Sequence, residues 1–170
     1  METPLYENFP ARIVLLSNGV ALVIYALGVY ILGQFGILFA LLYGLYCLWI
    51  ESNVLRKSCV HCYFYGKVCA FGKGRICSWI FPKGEPQRFL DRQISWRDLI
   101  PEMMVLLFPL IGGIVVLFER FSWLLVGLLA LLVALSFGGN AFIRGTLACK
   151  HCKQRELGCP AQQLFGGTTT

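Results

Sequence analysis

The residues of this chain best suited to chemistry are cysteines, and they fall in a repeated pattern. Residues 59 to 69 read CVHCYFYGKVC, and residues 149 to 159 read CKHCKQRELGC. Each is Cys-x-His-Cys followed, after a six-residue gap, by a third Cys. A Cys-x-x-Cys turn brings two thiolates onto one ion while backbone amides point at the sulfurs, and a third cysteine closes another corner of a tetrahedron. Cys77 is a natural fourth ligand for the first set, giving Cys59, Cys62, Cys69 and Cys77. The second set, Cys149, Cys152 and Cys159, has no evident fourth cysteine, and His61 or His151 can supply a nitrogen. A residue between the two cysteines of such a turn usually points away from their shared ion, so each histidine would serve the opposite knuckle. The plain alternative is that both histidines are surface residues. Zn2+ is the expected cofactor, with an iron–sulfur cluster as the alternative.

The elements that must position these thiols are dissolved in lipid. The chain is 57% hydrophobic and 14% charged, against about 25% charged for a soluble domain. The deficit lies in two blocks, Ile13 to Ile50 and Met103 to Ile143. A single straight helix over Ile13 to Ile50 would be ~57 Å long, far more than a ~30 Å hydrocarbon core. It must fold back, and the polar, turn-permissive point is Gly33-Gln34-Phe35-Gly36. The second block breaks at Glu119-Arg120. The expected spans are therefore Ile13 to Leu32, Phe35 to Ile50, Met103 to Phe118 and Phe121 to Ile143, with Pro109 and Gly112-Gly113 kinking or loosening the third. The opening METPLYENFPAR has neither a basic n-region nor a following small-x-small site, so the first apolar run is expected to remain as a helix.

The fold class is thus an all-α integral membrane protein of four transmembrane helices in two hairpins, each followed by a knuckle, which suggests internal duplication. Its expected divisions are 1–50 (N-terminal segment and first hairpin), 51–102 (Cys-rich loop), 103–143 (second hairpin) and 144–170 (Cys-rich tail). Two halves with an even number of spans share one orientation, so a pseudo-two-fold axis would run along the membrane normal and the knuckles would meet near it. With four spans both termini and the loop share one face, which carries every one of the 15 Lys and Arg residues except Arg120. The positive-inside rule makes that face cytoplasmic. The net charge of +6 then reflects topology and attraction to anionic lipid, not nucleic acid, for which no binding signature is present. Cytosolic thiols are held reduced, which disfavours a disulfide framework and favours metal or redox chemistry. Cys47, inside the second span, reads as a small buried apolar residue.

In the loop, Tyr63, Phe64, Tyr65, Phe71, Trp79 and Phe81 alternate with Lys67, Lys73 and Arg75, which suits headgroup depth at a membrane. A base-stacking platform is the less favoured reading. Gly66 to Lys73 fails as a phosphate-binding loop: five residues separate the glycines, and Gly74 stands where Ser or Thr must bind magnesium. Residues 87–99 are expected to form an interfacial helix, with Glu102 capping the third span. No histidine lies within a span, so bis-histidine haem is excluded, and a charged relay is missing. Ser17, Asn18, Ser136 and Asn140 are expected to bond between helices.

No catalytic constellation emerges. The leading functional reading is a membrane module that binds anionic lipid or a protein partner through a face ordered by structural zinc. An electron-transfer subunit is second: Cys159-Pro160 resembles the Cys-Pro ending of ferredoxin cluster runs, but those runs place two residues between each of their first three cysteines, where this chain places two and then six. A membrane thiol–disulfide oxidoreductase using Cys59/Cys62 or Cys149/Cys152 would need the opposite topology, and soft-metal transfer would need a thiol path that the spans lack beyond Cys47.

Overall fold

The computed structural model describes residues 4–91 and 95–160. Among them the regular elements are all helical: α1 (Ala11–Gly33), α2 (Ile37–Lys57), α3 (Lys73–Ile80), α4 (Gln87–Leu90), α5 (Trp96–Glu119), α6 (Trp123–Ala134), α7 (Asn140–Phe142) and α8 (Gln154–Leu157). Four helical stretches are long and apolar enough to cross a membrane, Ala11–Gly33, Ile37–His61, Trp96–Glu119 and Trp123–His151. The last continues α6 through π-turns at Leu135–Gly139 and Ile143–Ala148 into a 3-10 turn at Cys149–His151. In each of the four, under a quarter of the apolar window is buried within the protein (17 to 22%). Leu15, Leu22, Ile37, Leu45 and Leu48 are among the outward-facing residues. At about 25 cal/mol per Å2 of apolar surface, such faces are costly in water and at home in lipid.

Both helix breaks fall at the polar interruptions of the apolar blocks. α1 ends at Gly33 and α2 begins at Ile37, with Gly36 at φ 128°, a conformation that L side chains rarely adopt. α5 ends at Glu119 and α6 begins at Trp123. The start of α5 differs from expectation. It begins at Trp96, not Met103, and runs through Pro101, which removes one backbone bond near a helix end. Asp98, not Glu102, is the acidic residue of its first turn. Of the interfacial helix expected over 87–99, residues 87–90 form α4 and 96–99 the start of α5, and residues 92–94 lie outside the described residues.

The chain divides into two compact units. The helical unit is Gly19–Glu51 and Arg97–Phe142, and the head unit is Met1–Asn18, Ser52–Trp96 and Ile143–Thr170. The core of the helical unit includes Ile24, Ile31, Tyr43, Cys47, Val105, Leu129 and Leu132. α5 stays unbroken through Pro109. A proline has no N–H, so the carbonyl four residues back loses its donor. That carbonyl belongs to Val105, and the buried Tyr43 hydroxyl donates to it at 2.8 Å. Gly28 leaves room for the ring: a Cβ there would overlap the Tyr43 phenol. Of the polar residues expected to link helices, Asn18 donates to Val14 O and Phe71 O, Asn140 donates to Ser136 O in its own segment, and the buried Ser17 and Ser136 hydroxyls find no partner among the described residues.

Candidate metal centre

The head unit is built around two matching turns. Cys59–His61 and Cys149–His151 are both 3-10 turns. Cys62 N–H donates to Cys59 O at 3.3 Å, and Cys152 N–H to Cys149 O at 3.3 Å. The next bond repeats as well, Tyr65 N–H to Cys62 O at 3.0 Å and Arg155 N–H to Cys152 O at 3.0 Å. The backbone amide of Phe64 points at the Cys62 sulfur, and those of Gln154 and Arg155 at the Cys152 sulfur. Amides so placed favour a thiolate.

All eight cysteines are free, with Cys149 exposed, Cys47 and Cys77 buried and the others between. Cys59 lies within electrostatic reach of Cys69, Cys77 and Cys62. Cys149 is in reach of Cys159. The two knuckles also meet: Cys62 is in reach of Cys152, Cys69 and Cys159. Burial pushes the Cys62 thiol up to about 12, with repulsion from those three cysteines adding to it and the Phe64 amide opposing it. Burial likewise pushes Cys152 up to about 11, opposed by the amides of Gln154 and Arg155 and reinforced by Cys159 and Cys149. Cys77 is fully buried in α3, raised by that burial, and donates its S–H to Leu55 O at 3.6 Å. Among the described residues, no three His, Cys, Asp or Glu side chains converge into a group that could hold a metal ion.

Both histidines share one arrangement. His61 Nδ1 is 3.0 Å from Glu85 O, and His151 Nδ1 is 2.8 Å from Pro4 O. A ring nitrogen facing a carbonyl carries the proton, so Nε2 keeps the free lone pair in the neutral ring. Metal-binding histidines are commonly oriented this way, with the other ring nitrogen donating to a carbonyl.

Two contributors gave little signal in the sequence. Gln154 is buried at 5% exposure. Its Oε1 accepts from Tyr63 N–H at 2.8 Å and from the Cys62 S–H at 3.7 Å, and its Nε2 donates to Gly158 O at 3.1 Å. A side chain of the second knuckle thus holds the backbone of the first. The N-terminal segment is the other tie. Tyr6 N–H donates to His151 O at 3.0 Å, Phe9 N–H donates to Val68 O at 2.9 Å, and Asn8 Oδ1 accepts from Val68 N–H at 3.0 Å. Glu7 pairs with Lys153 at 2.8 Å, which holds the Glu7 carboxyl below and the Lys153 ammonium above their ordinary ranges. Phe9, Ile13, Phe64, Ala70 and Ala148 form the small core beneath. The only sequence trace of this strap is Tyr6 and Phe9 among polar neighbours.

The loop aromatics divide differently from expectation. Phe64 is core at 1% exposure. Tyr65 donates its hydroxyl to Phe81 O at 2.7 Å, and Tyr63 lies under Lys67 and Lys153. The outward apolar face belongs to α3, with Ile76, Trp79 and Ile80 exposed, while Gly74 and Cys77 form its buried face. No protein-family model matches this chain, and no curated protein or solved structure matches it either.

Proposed function

We propose that the chain is a multi-pass membrane protein whose cytoplasmic face is ordered by thiolate-bound metal, zinc in the first instance, and serves as a docking module for anionic lipid or a protein partner. One observation carries the reading: two sequence-matched knuckles adopt the same turn, each aims backbone amides at a cysteine sulfur, and Gln154 and Cys62 bring them against each other. Among the described residues the thiols do not converge in this structure, so metal binding would have to draw them together, with Cys59, Cys62, Cys69, Cys77, Cys149, Cys152 and Cys159 as the ligand pool and Nε2 of His61 or His151 completing a set. A closed site of cysteines and histidine leaves no open position for catalysis, so its role is structural. The matching turns also support duplication, with a helical hairpin before each knuckle. The cytoplasmic assignment rests on the clustering of cations in the head segments. The lipid assignment rests on α3, whose exposed Ile76, Trp79 and Ile80 sit beside Lys73 and Arg75, with the Arg75 guanidinium over the Trp79 ring.

An iron–sulfur cluster is the second reading, favoured by the reach of Cys62 to thiols of both knuckles, because a multi-iron cluster spans more widely spaced sulfurs than one ion does. The deciding experiment is metal content with the visible spectrum on anaerobically purified, detergent-solubilised protein. Zinc without visible absorbance supports the first reading. Iron with acid-labile sulfide and a broad visible band replaces it with electron transfer. Absence of any metal rejects both.

A further inference from the structure

The helical unit holds a second feature, unrelated to the thiols. The end of α1, the end of α5 and the start of α6 enclose a cavity of about 180 Å3. Its polar side is Tyr30, Gln34, Arg120 and Ser122. Arg120 brings five fixed N–H donors, and the lining holds no carboxylate to neutralise them. Gln34 spends one amide hydrogen on Tyr30 O at 3.4 Å and retains the other. Ser122 is the N-cap of α6 yet makes no capping bond, so its hydroxyl is available. The rest of the lining is Val116 and three leucines of α6, Leu124, Leu125 and Leu128. The ligand this wall selects is an anion with an apolar extension.

Size and setting narrow the class. The volume is below the roughly 300 Å3 that begins to enclose a drug-sized molecule, so the cavity takes a headgroup and leaves chains outside. Next to its lining residues in the chain, Phe118, Phe121 and Trp123 are 88%, 65% and 79% exposed, with the Phe121 and Trp123 rings edge to face; exposed aromatics of this kind mark headgroup depth at the end of spanning helices. Arg120 is also the one Lys or Arg in its apolar block. We propose that this cavity binds the phosphate headgroup of an anionic membrane lipid, with the Arg120 guanidinium on the phosphate, Gln34 and Ser122 donating to its remaining oxygens, and the α6 leucines against the glycerol and first methylenes. The absence of a lining carboxylate gives the ammonium of a zwitterionic lipid no counterpart, which is the source of selectivity.

The test uses the full chain reconstituted in phosphatidylcholine vesicles containing a minor fraction of phosphatidylglycerol, then extracted and weighed by native mass spectrometry. Expected for the wild type is one retained phosphatidylglycerol per chain and no retained phosphatidylcholine. Arg120→Gln is expected to lower retention about tenfold, the scale of a lost charge-assisted contact. Leu128→Trp, which fills the apolar side and leaves the cation, is expected to do the same. Helical content by circular dichroism and metal content stay at wild-type values in both variants, so loss of lipid is separable from failure of the metal reading. Equal retention by wild type and Arg120→Gln overturns the proposal, as does equal retention of the two lipids by the wild type. Displacement of phosphatidylglycerol by inorganic phosphate at comparable concentration also overturns it, making free phosphate the ligand.

Discussion

At the scale of single residues, Gln154 and the thiols it touches make the sharpest statements. The Gln154 amide is oriented by two partners, Tyr63 N–H on its oxygen and Gly158 O on its nitrogen. Gln154→Leu keeps the volume near that of the native side chain but removes the buried amide that pairs the half-buried Tyr63 N–H and the carbonyl of the exposed Gly158. The expected cost is about 1–3 kcal/mol, read as lowered thermal stability of the metal-free protein in detergent, with faster amide exchange at Tyr63. The thiols set the pH behaviour. Cys62 and Cys152 are raised to about 12 and about 11, from an ordinary value of 9.0, chiefly by burial. In the folded, metal-free chain they are neutral across the physiological range. Because their folded values exceed the unfolded ones, the stability of the metal-free fold is fully present below about pH 9 and falls as pH rises through about 11 to 12. Metal competes with these protons, so apparent zinc affinity is expected to keep rising with pH beyond ~8.5, where ordinary thiols level off. Chelator competition across a pH series, with proton release counted by an indicator dye, checks both the direction and the persistence.

At the scale of elements, the coupling of α2 to α5 through a missing hydrogen is the feature most open to test. Pro109 cannot donate to the Val105 carbonyl, and the Tyr43 hydroxyl does so instead. Tyr43→Phe is expected to cost about 1–3 kcal/mol by orphaning that buried carbonyl. In a Pro109→Ala background the backbone amide of Ala at 109 supplies the bond, so the same Tyr43→Phe change should cost markedly less. A double-mutant cycle on thermal or denaturant unfolding in detergent reads the difference, and equal costs in both backgrounds would refute the account. The sequence showed where the helices break, because Gln34 and the Glu119-Arg120 pair interrupt otherwise apolar runs. It also showed the Cys-x-His-Cys repeat, which folds as two matching 3-10 turns, because that spacing is local. It did not show that Tyr43 answers Pro109, that Asn18 reaches Phe71 O, or that residues 4–10 strap the head unit. Those contacts join positions far apart in the chain, and no periodicity encodes them. Pro101 misled for a different reason: a proline near the start of a helix removes one bond without ending it, so α5 runs back to Trp96.

At the scale of the whole molecule, charge and apolar surface decide how the chain sits in a bilayer. The four long helices bury under a quarter of their apolar windows internally and are long and apolar enough to cross a membrane. The N-terminal segment, the 51–102 loop and the C-terminal tail hold all the Lys and Arg residues but Arg120. Moving them across the membrane would work against the charge bias that sets orientation. The proposed orientation would also govern chemistry, since reduced thiols persist on the cytosolic side and a disulfide-forming role belongs to the other. Labelling with a membrane-impermeant maleimide separates the cases, because Cys149 is exposed in the fold and Phe118, at 88% exposure, can be replaced by cysteine near the Glu119-Arg120 break. In intact cells the wild type is expected to remain unlabelled and Phe118→Cys to take one label. Permeabilised cells should label Cys149 in both proteins. Zinc added before the reagent should slow labelling at Cys149 but not at the new cysteine, since only the former belongs to the ligand pool. Labelling of Cys149 in intact cells would reverse the topology, place the Cys59/Cys62 and Cys149/Cys152 pairs on an oxidising face, and make dithiol–disulfide exchange the function to pursue.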